Sequence, residues 1–152
     1  MEKITGDLRI NDHSSESDLQ FAHHELSNSY WSKNIPFEIV KKAAENSICF
    51  NVFIGKEQVA FARVISDRST FAYLCDVIVA GKHQRKGIGK ALMQFIMDHP
   101  DLQGLRRFTL GTKDAHGLYE KFGFASPKFP ERQMEIGRPG IYEQEEKKEL
   151  GK

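Results

Sequence analysis

The sequence predicts an α/β layered domain, with helices packed on a mixed sheet, and three observations carry that prediction. Apolar spacing switches from helical to strand-like at "ICFNVFIG", which begins at Ile48, and turns helical again after the glycines at 87 and 89. The elements so defined run ααβββαβαβ, an order that layered α/β domains accommodate. The length, 152 residues, suits one domain whose core needs no disulfide or metal staple. No repeat or internal linker divides the chain. Residues 1–136 read as the domain, and 137–152 as a charged, flexible tail with too few apolar side chains to dock.

The elements follow in order. "SDLQFAHHEL" starts at a capping Ser17 or Asp18 and sets Leu19, Phe21, Ala22 and Leu26 on one face. After the loop "SNSYWSKNIP", Pro36 suits a first helical position, and "PFEIVKKAAENS" places Phe37, Val40 and Ala44 together. "ICFNVFIG" and "QVAFARVIS" read as a hairpin, and "TFAYLCDVIVA" as a third strand, apolar almost throughout and so central. "GIGKALMQFIM" follows as a helix with Ile88, Ala91, Leu92, Phe95 and Ile96 on one face, ending before Pro100. "LRRFTLGT" is the next strand, "DAHGLYEKF" a short helix capped by Asp114 and stopped at Gly123, and "RQMEI" a last strand.

Composition narrows the function. Lysine and arginine (22) balance aspartate and glutamate (21), and a net charge of +1 gives no general attraction to nucleic acid or anionic membrane. Cys49 and Cys75 lie in apolar strands without metal-ligand spacing, so they read as buried free thiols and no metal site is expected. No apolar run reaches membrane-spanning length and the first residues lack a signal peptide's hydrophobic centre, so a cytoplasmic location is expected.

The stretch "HQRKGIGKALMQFIM" links the central strand to a helix through a glycine-rich turn. Such a turn presents free backbone N–H groups at the positive end of a helix dipole, which makes an anion site. Gly87 and Gly89 permit close approach, and Arg85, Lys86 and Lys90 add positive charge. Spacing excludes two nucleotide loops. Ala91 stands where a P-loop needs Ser or Thr, and Leu92 where a dinucleotide fingerprint needs its third glycine.

Gln84, Arg85, Lys86, Gly87, Ile88 and Gly89 match Q/R-x-x-G-x-G/A, and "GLYEKFGF" at 117–124 resembles a second signature, in the same order. Together they resemble the GCN5-related N-acetyltransferase (GNAT) family over roughly residues 48 to 136. The resemblance implies a mostly antiparallel mixed sheet, splayed between the fourth and fifth strands to admit acetyl-CoA. It places the CoA pyrophosphate on Gln84 to Lys90 and the pantetheine arm on main-chain groups from Asp76 through Val77, Ile78 and Val79. Tyr119 corresponds to the family's tyrosine near the thioester sulfur. Thr112 stands where many members have an asparagine that touches the cofactor. The expected reaction moves an acetyl group to a primary amine, of a small molecule or a protein, and dimers are frequent in the family.

Acyl transfer from a thioester needs a neutral amine, although a free alkylamine has a pKa of about 10.4, and a proton for the departing thiolate. Tyr119 suits the acid role. Asp76, a carboxylate inside an apolar run, is the leading candidate base; pairing with Arg63 and a water-relayed path are the alternatives, with His116 a weaker one. Tyr30 and Trp31, with Phe71 and Tyr73, are candidates to enclose the acceptor, and the alternative for Trp31, slightly favoured, is a core anchor for its loop. Two other classes are compatible with parts of the chain. One is a CoA-binding sensor without turnover; the second, a nucleic-acid module using the basic loop, lacks a recognised motif and has a near-neutral net charge of +1 against it.

Overall fold

The computed structural model describes residues 1–143. Six strands form one sheet in chain order: β1 (Glu2–Thr5), β2 (Leu8–Asn11), β3 (Ile48–Ile54), β4 (Glu57–Ser66), β5 (Phe71–Val79) and β6 (Arg107–Leu110). Each neighbouring pair is antiparallel except β5 and β6, which are parallel. Four helices cover it: α1 (Leu19–Ser27), α2 (Phe37–Glu45), α3 (Ile88–Met97) and α4 (His116–Glu120). A parallel step needs a crossover, and α3 supplies it.

Each face has its own core. On one, Ile88, Leu92, Met93 and Ile96 of α3 and Tyr119 of α4 pack on Phe50, Ala60, Ala62, Ala72 and Leu74. On the other, Ala22 and Leu26 of α1 and Val40 and Ala44 of α2 pack on Cys49, Phe61 and Ile78. This two-sided burial explains the near-continuous buried runs of β3 and β4. Asp18 caps α1 as expected, accepting from the N–H groups of Gln20 and Phe21, whereas Pro36 is the N-cap of α2, one position before its first helical residue.

Three further expectations change. The hairpin β1–β2, turning over Gly6 at φ +62°, was not foreseen; its first strand is exposed throughout and carries no buried face to announce it. "RQMEI" is not a strand, and Met134 and Ile136 are 97% and 85% exposed. Alternation without an edge to pair on yields no ladder. Asp114 does not cap α4, because Thr112 Oγ1 accepts from the N–H of Ala115 at 3.0 Å and closes that turn. Tyr142 packs against the α1–α2 core, with Glu143 Oε1 3.8 Å from Lys33 Nζ. The rest of the charged tail, 144–152, lies outside the described residues.

Candidate active site

The site begins at a defect in the sheet. Phe61 pairs with Ile78 and Arg63 with Cys75, so three steps along β5 match two along β4. The extra residue makes a β-bulge, with Asp76 in the left-handed region at φ +54°. Parallel pairing with β6 runs only from Phe71–Arg107 to Leu74–Leu110. Beyond Leu74, the edge of β5 through Val77, Ile78 and Val79 has no strand partner on that side among the described residues. The sheet therefore opens between the two strands that flank α3. They are fifth and sixth in chain order, rather than the fourth and fifth that the resemblance implies, with the two strands of the N-terminal hairpin ahead of β3.

At the end of β5 the chain makes a short 3-10 turn at Gly81–His83 and enters the glycine-rich loop. Arg85 and Gly87 take φ of +63° and +81°, and Gly87 is the N-cap of α3 without a side-chain cap. Among the described residues, the N–H groups of 85 through 90 donate to no protein acceptor; the first helical bond is Ala91 N–H to Gly87 carbonyl at 3.0 Å. Alternating left-handed residues turn successive amides inward, the geometry of an anion nest. Gln84 Nε2 donates to Val79 carbonyl at 3.2 Å and ties the loop to the strand end. The ring nitrogens of His83 are buried without a partner beside it. Six unpaired amides at a helix start, with Arg85, Lys86 and Lys90 exposed around them, fit a pyrophosphate.

A cleft of about 200 Å³ lies in the opening, lined by Tyr30, Trp31, Tyr73, Asp76, Val77, Thr112, Asp114 and Tyr119 among others. A larger cavity of about 680 Å³ is lined by β6 and α4, with Leu110, Gly111, Thr112 and Tyr119 common to both. Its lining includes no residue of the 84–90 loop and not Asp76, whereas the smaller cleft is lined by Asp76 and Val77 of the bulged strand. Tyr119 is buried, and burial raises its phenol above the ordinary value, with Tyr30 and Asp114 adding to the effect. Burial does the same at Tyr73, helped by Cys75 and Asp76.

Asp76 has both carboxylate oxygens engaged. Arg63 Nε donates to Oδ2 at 2.8 Å and Trp31 Nε1 to Oδ1 at 3.2 Å, while Arg63 Nη1 reaches Ser47 Oγ at 3.0 Å. Of the roles open to it, pairing with Arg63 is the one present. Trp31 is thereby held at the mouth, 44% exposed, its ring 5.0 Å from that of Tyr30. Tyr30 Oη accepts from the backbone N–H of Lys113 at 3.3 Å, joining the α1–α2 loop to the start of α4. Phe71 is not in the cleft; it begins β5, paired with Arg107. His116 lines the larger cavity. Burial pushes the Cys49 thiol up to about 11 and that of Cys75 to about 12, so neither is poised as a thiolate.

Sequence reasoning passed over Asp114 as a helix cap, yet it borders the cleft. The capping positions Thr112 and Asp114 lie two apart, and only the fold decides which one closes the turn. Among the described residues no cluster of three or more His, Cys, Asp or Glu could hold a metal, and no helix is long and apolar enough to cross a membrane.

Residues 13–124 match the model of the acetyltransferase (GNAT) family. The chain belongs to the GNAT family. A Xanthomonas campestris pv. campestris protein, described as belonging to the same family, is 50% identical to this GNAT protein, with a TM-score of 0.87 over 89% of this chain and 96% of that one. A Gibberella zeae protein named as an acetyltransferase is 31% identical over 113 residues. That match covers 60% of this chain and 63% of the relative, so the chain spans less than two thirds of the relative's length. A GNAT acetyltransferase of Elizabethkingia anophelis, with acetyl-CoA bound, shares the fold at 18% identity and a TM-score of 0.63, covering 90% and 92% of the two chains.

Proposed function

We propose that this GNAT protein is an acetyl-CoA-dependent N-acetyltransferase that acts on a primary amine. The observation that carries the reading is the run of six unpartnered backbone N–H groups from 85 to 90, set beside the free edge of β5. The loop holds the pyrophosphate with those amides and with Arg85, Lys86 and Lys90, and the edge at Val77 to Val79 aligns the pantetheine arm by main-chain hydrogen bonds. When bound, acetyl-CoA supplies an acetyl carbon activated by its thioester.

The chain's own groups then complete the transfer. Tyr119 keeps its proton through the neutral range, because burial raises its phenol, and gives it to the sulfur as the carbon–sulfur bond breaks. The acceptor nitrogen arrives as the neutral amine and adds to the thioester carbon, and the proton it sheds as the amide forms returns by way of solvent to the Tyr119 phenolate. Asp76 acts as a positioning residue: its pair with Arg63 fixes the bulge, and its bond to Trp31 fixes the mouth.

Thermal unfolding with acetyl-CoA, against adenosine and desulfo-CoA, tests the reading. At about a hundred times the dissociation constant, a ligand specific for the native state adds roughly 2.7 kcal/mol, or roughly 5 to 10 °C for a domain of this size. Gly87→Glu places a carboxylate and a strained φ in the loop and should abolish the shift while the protein remains folded. A wild-type melt unmoved at millimolar acetyl-CoA would exclude the assignment. Binding without thiol release, over a broad amine panel, would leave a CoA sensor instead.

A further inference from the structure

The acceptor end of the cleft has a charge pattern that acetyl transfer by itself does not require. Four aromatic residues line the cleft, Tyr30, Trp31, Tyr73 and Tyr119, with two carboxylates, Asp76 and Asp114, and no lysine, arginine or histidine. Asp76 is matched by Arg63. Asp114 is not: it is exposed and has no hydrogen-bond or ion-pair partner among the described residues. Glu135 adds a further negative charge close enough to act on Tyr73, and Asp114 acts likewise on Tyr119. The nearby cation, Lys113, sits with Nζ 5.3 Å from the Tyr30 ring centre, while Trp31 and Tyr73 are 44% and 38% exposed.

A carboxylate beside the attacking nitrogen would hinder the reaction, since it would hold that nitrogen in its ammonium form. An unpaired carboxylate at the rim is useful when it faces a charge elsewhere on the acceptor. Aromatic faces serve the same end, as their quadrupole attracts cations. At about 200 Å³ the cleft is below the range of about 300–1,000 Å³ usual for drug-sized ligands, so it encloses only a short stretch of the acceptor.

We propose that the acceptor is an organic cation bearing a second positive charge, a diamine or close analogue, whose non-reacting ammonium is held by Asp114 and the faces of Trp31 and Tyr73. Asp114 is then a specificity-determining residue. The proposal rests on the acetyltransferase reading. It excludes acceptors that carry a phosphate or free carboxylate near the amine, which Asp114 and Glu135 repel.

The test uses three acceptors of similar length whose far end is cationic, neutral or anionic: 1,4-diaminobutane, 1-aminobutane and 4-aminobutanoate. Thiol release from acetyl-CoA gives kcat/KM for each. The diamine should exceed 1-aminobutane by about tenfold or more, with 4-aminobutanoate lowest, and Asp114→Asn should bring the diamine advantage to within about twofold, chiefly through KM. The sequence has one tryptophan, so Trp31 fluorescence reports binding with no acetyl-CoA present. The diamine should quench it saturably and 4-aminobutanoate should not.

Similar kcat/KM for all three acceptors would overturn the proposal and leave the acetyltransferase reading intact. A diamine advantage that survives Asp114→Asn would overturn the role of Asp114. Saturable quenching by the diamine without thiol release from any amine would support the cation site and defeat the acetyltransferase reading.

Discussion

At the residue scale, Asp76 and Tyr119 divide the work that a sequence reading loads onto both. Asp76 donates nothing and accepts from Arg63 and Trp31, so Asp76→Asn removes a charge from a pair whose side chains are 11% and 16% exposed. Leaving the arginine unmatched at that burial costs about 3 kcal/mol, read as a fall in the urea midpoint at constant slope. Freed from its anchor, Trp31 should raise the acceptor KM more than it lowers kcat; loss confined to kcat would instead indicate a base. Tyr119→Phe should do the reverse. Its ring remains in the core, acetyl-CoA binding persists, and kcat falls by about a hundredfold, the lower end of what a positioned acid contributes. A full rate for that variant would remove Tyr119 from the chemistry.

At the element scale, the short helix α4 depends on how it is entered. Five residues are too few for a helix to persist by propensity, and the turn before it is closed by Thr112 Oγ1 on Ala115 N–H. Thr112→Ala should destabilise the domain by about 1 kcal/mol and weaken turnover, because Tyr119 rides on that helix and Tyr30 is bonded to Lys113 just ahead of it; Thr112→Ser should restore both in the same assays. The long elements were legible in the sequence because each carries a face that is buried: α3 by its 3.6-residue period, β3 to β5 by their apolar runs. The glycine loop was legible because few backbones turn from strand to helix with two glycines and three cations. The hairpin β1–β2 was not, since Glu2–Thr5 buries nothing, and neither was the bulge, because left-handed backbone at an aspartate has no signature in composition.

At the scale of the whole molecule, that unforeseen N-terminus is stitched to the far end of α3. Asn51 Nδ2 donates to Asn11 Oδ1 and to His13 carbonyl, and Gln58 Nε2 donates to Asn51 Oδ1, a buried set whose members satisfy one another. Asp12 extends it: Oδ1 lies 2.8 Å from the Met1 amino group, and Oδ2 accepts from His99 Nε2 at 2.8 Å. The tautomer follows from the network, since His99 Nδ1 accepts from Asp101 N–H. Burial works to raise the Asp12 carboxyl, but the amino terminus and His99 outweigh it and hold it below its ordinary value. A carboxyl depressed by folding contributes stability that is complete above its unfolded pKa, about 3.9, and is lost as pH falls through the folded value. Asp12→Asn should therefore cost about 2–3 kcal/mol at pH 7 and progressively less below about pH 4. Urea unfolding of both proteins at pH 7 and pH 3 measures the difference. A gap that stays constant across that interval would mean that Asp12 acts by shape and hydrogen bonding alone, and that the acid sensitivity of the fold lies elsewhere.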